Sequence, residues 1–376
     1  LGTLVQGRIS VSGGAVAASK LALLIAIRYG NARRQFRPPG TDQEIVLLDY
    51  RQHQRRLLPL LARTYAMHFA QEALVATLHD IFTAENWDDR ERRRLESLAA
   101  GVKATSTWHA MEVLQTAREA CGGAGYLSVN RLGQLREDVD VFTTFEGDNT
   151  VLLQLVAKGL LTDYRDEFGS LDTLGMVRFV ADQVMGAVVE FTAARSLKAF
   201  VTDTVRREED RQIFDRDYQL DLFAWREKHV IDALARRLRK ALGSSDDAFA
   251  AFNEVQDHML AAARAHVDRI VVERFADAIE RCPDADLKLM LGKLMDLHVL
   301  SLVERERGWF LEHGQLTASR SKAVTAAVNQ LCDELRPFAG GLVEAFGIPD
   351  ELVGAPIALG EEARRQESKQ AAPKAG

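Results

Sequence analysis

A single carboxylate stands at the most chemically suggestive point of the sequence. In TTFEGDNTVLLQLVAKGLL, residues 143–161, Glu146 follows an aromatic ring and precedes Gly147, Asp148 and Asn149, after which an apolar stripe reads as a helix. A carboxylate held at such a junction beside Phe145 can be desolvated by the ring, which raises its pKa and suits it to general-base work. An acid just upstream of a helix is equally welcome to the helix dipole, with Asp148 or Asn149 as N-cap, and pattern alone favours that outcome. Two further clusters carry the same double meaning. Arg33 and Arg34 in ARRQF either clamp a pyrophosphate with their guanidinium forks or serve the carbonyl end of a helix, and spacing favours the second. The glycines of CGGAGY, Gly122, Gly123 and Gly125, either close a helix in left-handed conformations or let a backbone approach a ligand, and pattern favours the helix end. They are not a dinucleotide fingerprint, because the preceding TWHAMEVLQTAREA is helical in pattern rather than a strand.

Helices must position these groups. Nearly every long segment has helical rather than alternating periodicity and only eight prolines interrupt it, so the expected fold is all-α. GAVAASKLALLIAIRYGNARRQF predicts a first helix, stopped by RPPGTDQE, where Pro38 and Pro39 cannot continue it. A second helix is expected from about Ile45, with Pro59 as a kink or local start, a third from about Arg90 to Ala120, and a fourth after Asn149. Four such helices suggest a bundle over residues 1–165. A second helical domain is expected over 166–350, with Ser244, Ser245 or Asp246 as an N-cap within it. Residues 351–376 read as a polar tail, partly disordered.

Composition bounds the chemistry. The chain has 376 residues, 47% hydrophobic and 27% charged, with a net charge of −6, which argues against a nucleic-acid-binding surface. Cys121, Cys282 and Cys332 match no zinc or disulfide spacing, and a reducing compartment follows. No His-Glu-x-x-His or other close pair marks a metal site, and His258 and His266 lie two helical turns apart, too far for one ion. The basic runs RERRR and ARRLRK read as solvated helix faces. The apolar run Leu21–Ile27 falls far short of the roughly 20 residues that span a membrane. The N-terminus lacks the basic head and apolar core of a signal peptide, so a cytoplasmic setting is expected. The chain begins at leucine, which suggests a processed or truncated piece of a longer polypeptide.

Together, TLVQGRISVSGGAVAASKLALLIAIRYGNARRQF, LDYRQHQRRLLPLLARTYAMHFA, REACGGAGYLSVNRLGQLREDVDVFTTFEGDNTVLLQLVAKGLL and LRPFAGGLVEAF resemble the acyl-CoA oxidases, the oxidase branch of the flavin-dependent acyl-CoA dehydrogenase superfamily. The resemblance implies an FAD-dependent enzyme that desaturates acyl-CoA thioesters in β-oxidation and returns electrons to dioxygen as hydrogen peroxide. It implies Glu146 as the base that removes the α-proton. It gives Arg33, Gln35 and Phe36 to FAD across a subunit interface, and Gly122, Gly123 and Gly125 to the adenosine diphosphate part of the cofactor. Glu119 and Asp148 stand where the dehydrogenase branch has glutamine and threonine; Asp148 is carried as a cofactor-binding residue whose contact this departure weakens. Family members precede the bundle with a helical and a β-domain that have no counterpart here. A homodimer, or a complex with a chain supplying that half, is therefore implied. The alternatives are an acyl-CoA dehydrogenase using an electron-transfer partner, and a non-catalytic helical subunit that completes a partner's flavin site. The C-terminal AAPKAG is not the Ser-Lys-Leu peroxisomal address, so a bacterial cytoplasm is expected.

Overall fold

The computed structural model describes residues 2–84, 89–168, 213–244 and 247–371. Among these, helices dominate as expected, and the only strands are two residues long: β1 (Arg34–Gln35) pairs antiparallel with β2 (Ile45–Val46), Arg34 opposite Val46 and Gln35 opposite Ile45. The chain forms two compact units, Leu1–Leu153 with His266–Gly376, and Gln154–Ala265. That grouping differs from the expected boundaries at 165 and 350, because helices late in the sequence pack on helices early in it.

The first unit is organised on α1 (Gly2–Ala32), which packs against α2 (Arg51–Thr83) and α3 (Asp89–Ala120). Its C-terminal half is buried all round: Ala22, Leu23, Leu24, Ile25, Ala26 and Ile27 are each 0% exposed. A helix apolar on every side belongs in the middle of a core. By length and composition α1 could also cross a membrane, but here its apolar surface is taken up by neighbouring helices. Its N-terminal half approaches closely through small residues. Val5 and Ile9 share a buried cluster with Leu74 of α2 and Leu95, Ala99 and Val102 of α3. Gly13 lies against Gln71, whose Nε2 donates to the Ile9 carbonyl at 2.9 Å.

Several expected boundaries move. The second helix starts at Arg51 rather than near Ile45, because Ile45 and Val46 pair with the strand that follows α1 and a 3-10 turn, Leu47–Asp49, intervenes. Pro59 lies inside α2 and neither starts nor ends it. The third and fourth helices appear as expected, as α3 and α5 (Asn149–Phe168), with an unforeseen short helix, α4 (Leu132–Asp140), between them.

The second unit includes α6 (Arg216–Ser244), α7 (Ala248–Glu254) and the start of α8 (Gln256–Arg281). The N-cap of α7 is Asp247, whose carboxylate accepts from the Phe249 and Ala250 amides, one residue beyond the expected caps. Ser244 instead ends α6, and Ser245 and Asp246 lie outside the described residues, as does the expected helical continuation over 169–212.

The first unit also contains α9 (Ala285–Arg305), α10 (Arg307–Glu312) and α11 (Ala318–Leu335), with α9 and α11 packed on α2. Beyond them, α12 (Ala339–Glu344) and α13 (Asp350–Val353) are tied to α1 by Arg28, which donates to Glu344 at 2.6 Å and Asp350 at 2.7 Å. The tail expected to be partly disordered is ordered as far as it is described. Its helix α14 (Glu361–Ala371) turns buried Glu362 and Gln366 inward, and only 372–376 lie outside the described residues. The inward-facing polar groups of this helix are partnered: Glu362 accepts from Arg33 and from Gln366.

The all-round burial of α1 makes it the element least tolerant of truncation. Leu24→Ala should lower unfolding stability by roughly 2 to 5 kcal/mol in urea denaturation, the usual range for a fully buried leucine. A loss below about 1 kcal/mol would contradict a central role for this helix.

Candidate functional site

Glu146 sits in a strained loop between a 3-10 turn, Val141–Thr143, and α5. Its φ is 58°, in the left-handed region rarely adopted by side-chain-bearing residues, and Gly147 follows at φ 109°. Such a conformation persists only where the surroundings over-determine it, and three contacts do so. Arg8 of α1 donates from Nε to the Glu146 carbonyl at 3.2 Å. Lys103 of α3, 0% exposed, donates from Nζ to the Gly147 carbonyl at 2.8 Å and to Asn149 Oδ1 at 2.9 Å. Asn149, itself buried, donates onward to Thr107 Oγ1 at 2.9 Å. The loop is thereby clamped to α1 on one side and α3 on the other.

The carboxylate lies against bare backbone. A Cβ placed on Gly7 would come within 2.6 Å of Glu146 Cδ, so the glycine leaves the space that the carboxylate fills. Glu146 Oε2 is buried and has no hydrogen-bond partner among the described residues. A carboxylate oxygen that no donor occupies has its lone pairs available to an incoming group. Phe142 and Phe145, with ring centroids 5.4 Å apart, form an apolar flank in the same loop. The helix cap that the sequence offered as the alternative is filled by Asp148, whose Oδ1 accepts from the amides of Thr150 and Val151 at 2.9 and 3.3 Å. Asp148 is therefore engaged as a cap, and Glu146 is left out of that role.

The second cluster is at the other end of α1. Gly7 and Ala32 are 25 residues apart in one helix, roughly 37 Å at about 1.5 Å per residue. Arg33 follows directly and donates to Glu362 Oε1 at 3.2 Å; that carboxylate is 0% exposed and also accepts from Gln366 at 2.6 Å. Gln35 lies in β1, and its carbonyl accepts from the Tyr50 hydroxyl at 2.8 Å. Phe36 has φ 60° and is 67% exposed, its ring edge-on to Tyr50. Strain spent on presenting an aromatic ring to the outside suits it to cover a planar ligand.

The glycine loop divides between the two readings made from sequence. A Cβ on Gly125 would lie 1.9 Å from the Arg118 carbonyl oxygen, so this glycine is needed for the chain to pass the end of α3. Gly122, at φ 56°, has nothing within 4 Å of that position, and Gly123 meets only the Tyr126 ring at 3.8 Å or more. Their backbone is open to a ligand. Cys121 beside them is buried, which pushes its thiol up to about 12 and leaves it unreactive. Among the described residues no group of three or more His, Cys, Asp or Glu side chains could hold a metal.

Sequence reasoning missed Gly7, Arg8 and Lys103. A signal existed for Lys103, a lone lysine among the small and apolar residues of AAGVKATSTW, but its partners lie 44 and 46 residues away. Loss of hydration pushes its ammonium down to about 8, against the opposing attraction of Asp148 and Glu146. With the folded pKa below the unfolded one, the folded chain sheds this proton first as pH rises. Stability should therefore increase between about pH 8 and 10.5 and be flat from this source below pH 8. The stability of the unaltered chain minus that of Lys103→Met, from denaturation at each pH, should grow across that window. A constant difference would contradict the burial of a charged lysine.

Comparison with known proteins gives these geometries a context. The family model described as "Acyl-CoA oxidase, C-alpha1 domain" matches residues 1–161, and that described as "Acyl-CoA oxidase" matches 215–360. The peroxisomal acyl-coenzyme A oxidase 2 of Arabidopsis thaliana is 34% identical over 97% of this chain and 51% of its own length. Human peroxisomal acyl-coenzyme A oxidase 3 is 31% identical over 95% of this chain and 51% of its own. The crystal structure of acyl-CoA oxidase 1 from Yarrowia lipolytica superposes with a TM-score of 0.80 at 28% identity, covering 100% of this chain and 55% of that one. The chain thus spans about half the length of the curated relatives it matches. The bacterial cytoplasmic setting expected from the sequence is overturned, because the Arabidopsis and human relatives are named as peroxisomal.

Proposed function

The chain belongs to the acyl-CoA oxidase family, and from that premise we propose that it carries the catalytic base of an FAD-dependent enzyme that converts acyl-CoA thioesters to their 2-enoyl products in β-oxidation. The observation that carries this reading is the Glu146 carboxylate: seated against Gly7, one oxygen buried without a donor, in a loop held by Arg8 and Lys103.

In this reading Glu146 Oε2 takes the α-proton of the thioester. The clamp from Arg8 and Lys103 fixes where that oxygen sits, and a held position is what a general base contributes beyond its basicity. Bound FAD would accept the hydride from the β-carbon and pass the electrons to dioxygen as hydrogen peroxide. Phe36, with the open backbone of Gly122 and Gly123, fits a planar cofactor and its phosphates. Arg33 fits less simply, since its guanidinium already serves Glu362. Asp148 fits the helix cap rather than the cofactor.

The spacing along α1 favours a dimer. Roughly 37 Å separates the base from the Arg33–Phe36 cluster, longer than an extended dinucleotide. The cluster of one copy would therefore serve the flavin of another. Exposed apolar side chains at both ends, Phe36 at 67% and Tyr126 at 69% with Val141 at 51% and Val151 at 57%, suit surfaces that further chain or a second copy covers.

Two substitutions separate chemistry from folding. In the complete enzyme, Glu146→Gln should lower anaerobic flavin reduction by acyl-CoA about 10² to 10⁴-fold, the typical contribution of a positioned acid–base group. Undiminished bleaching of the flavin would remove Glu146 from the role. Gly7→Ala improves helix propensity by about 1 kcal/mol, yet its methyl would occupy the carboxylate's place. Stability should hold or rise while turnover, followed as peroxide release, falls about tenfold or more. Unchanged turnover would mean that the carboxylate position against Gly7 is not the working one.

A further inference from the structure

A second polar site lies away from Glu146, where α2, α3 and α9 meet. A cavity of about 180 Å³ there is lined by Arg55, Arg63, Glu112, His298, Ser301 and Arg305, among others. Its polar groups are unevenly matched. Arg55 is paired with Glu304 at 2.7 Å, and Glu304 also faces Arg307 at 3.5 Å. Arg63, with only 16% of its side chain exposed, has Glu112 at 3.4 Å, and that carboxylate is half exposed. Arg305 reaches Glu306 only at 3.7 Å. The cavity lining thus holds three guanidinium groups and two carboxylates, Glu112 and Glu304, with Asp268 attracting Arg63 from outside the lining; Arg63 and Arg305 are the two more weakly paired cations.

The buried donors point the same way. His298 is 4% exposed, lines the cavity, and its Nε2 has no hydrogen-bond partner among the described residues. Ser301 Oγ and Arg55 Nη1 are also buried without partners among the described residues. Unmade hydrogen bonds of this kind cost about 1 to 3 kcal/mol each, more for charged groups, so a cluster of them indicates something that completes them. Arg63 is held below its ordinary range by lost hydration and by the charge on Arg305, and His298 is pushed down to about 3 by burial and by the same two arginines. A neutral imidazole, a hydroxyl and forked guanidinium donors suit an oxygen-rich anion rather than a metal cation.

We propose that this cavity binds a small oxyanion of the phosphate class, held by Arg63, Arg305, Ser301 and His298. Its volume accommodates a single tetrahedral ion with water and not a nucleotide. The half-exposed side chains of Glu112 and Arg305 mark the side from which the ion enters. Bound there, it would neutralise two facing cations and tie α2 to α9, the contact through which the later helices join the first unit. It would stabilise the fold without touching the Glu146 loop, so the inference stands apart from the proposed reaction.

The test is thermal unfolding of the chain titrated with inorganic phosphate at ionic strength kept constant with sodium chloride, alongside ³¹P line width of the phosphate. The unaltered chain should gain stability saturably and broaden the ³¹P signal. Arg63→Gln should bind roughly tenfold to a hundredfold more weakly, as expected for the loss of a charged hydrogen bond. Should Arg63→Gln fail to fold, Ser301→Ala serves in its place and should bind several-fold more weakly. No saturable effect in the unaltered chain, or an equal rise in the variant from general salting-out, would overturn the proposal.

Discussion

The bare backbone of Gly7 against the Glu146 carboxylate is the contact from which the rest of the arrangement follows. It requires α1 to pass close beneath the loop, which requires small residues along the first half of that helix and tight packing against α2 and α3. It also requires the loop to hold a left-handed residue that is not glycine. Lys103 meets that requirement by placing a buried ammonium under the Gly147 carbonyl and the Asn149 side chain. The carboxylate is left with an oxygen that no described residue hydrogen-bonds, while Asp148 next to it serves the helix end. Two neighbouring acids thus receive different tasks from the backbone geometry alone.

The length of α1 imposes the second constraint. A helix of 31 residues holds its two ends apart, and the two clusters of interest sit one at each end. The Arg33–Phe36 segment is anchored where it stands, by pairing with Ile45–Val46 and by the buried Glu362 of α14. No bending of loops brings it to Glu146. In the proposed reading the cofactor site is completed by association of two copies, and the exposed Phe36 and Tyr126 rings are consistent with such a surface.

Much of this was legible in the sequence, for identifiable reasons. Helical periodicity gave α3 nearly to the residue and the start of α5, since an apolar stripe with a clear stop or cap leaves little choice. The resemblance carried by RRQF, CGGAGY and FEGDN singled out Glu146, where pattern alone favoured a helix entrance. What was not legible depended on distant partners. Ile45 and Val46 read as helix, and antiparallel pairing with Arg34–Gln35 makes them a strand instead. The helix within the polar tail was not legible because composition cannot distinguish a solvated glutamate from Glu362, buried under Arg33. Lys103, Arg8 and Gly7 acquire meaning only when α1, α3 and the loop are brought together. The cellular setting left no reliable mark in composition.

The central claim is that the base and the Phe36 cluster at opposite ends of α1 serve different active sites. Co-expression of a Glu146→Gln chain with a Phe36→Asp chain, each inactive alone as the complete enzyme, tests it directly by acyl-CoA-dependent peroxide release. Hybrid dimers then contain one site with both groups intact, and random pairing should restore about a quarter of the unaltered activity. If both groups served the site of their own chain, no hybrid would hold an intact site, and the mixture would stay as inactive as its components.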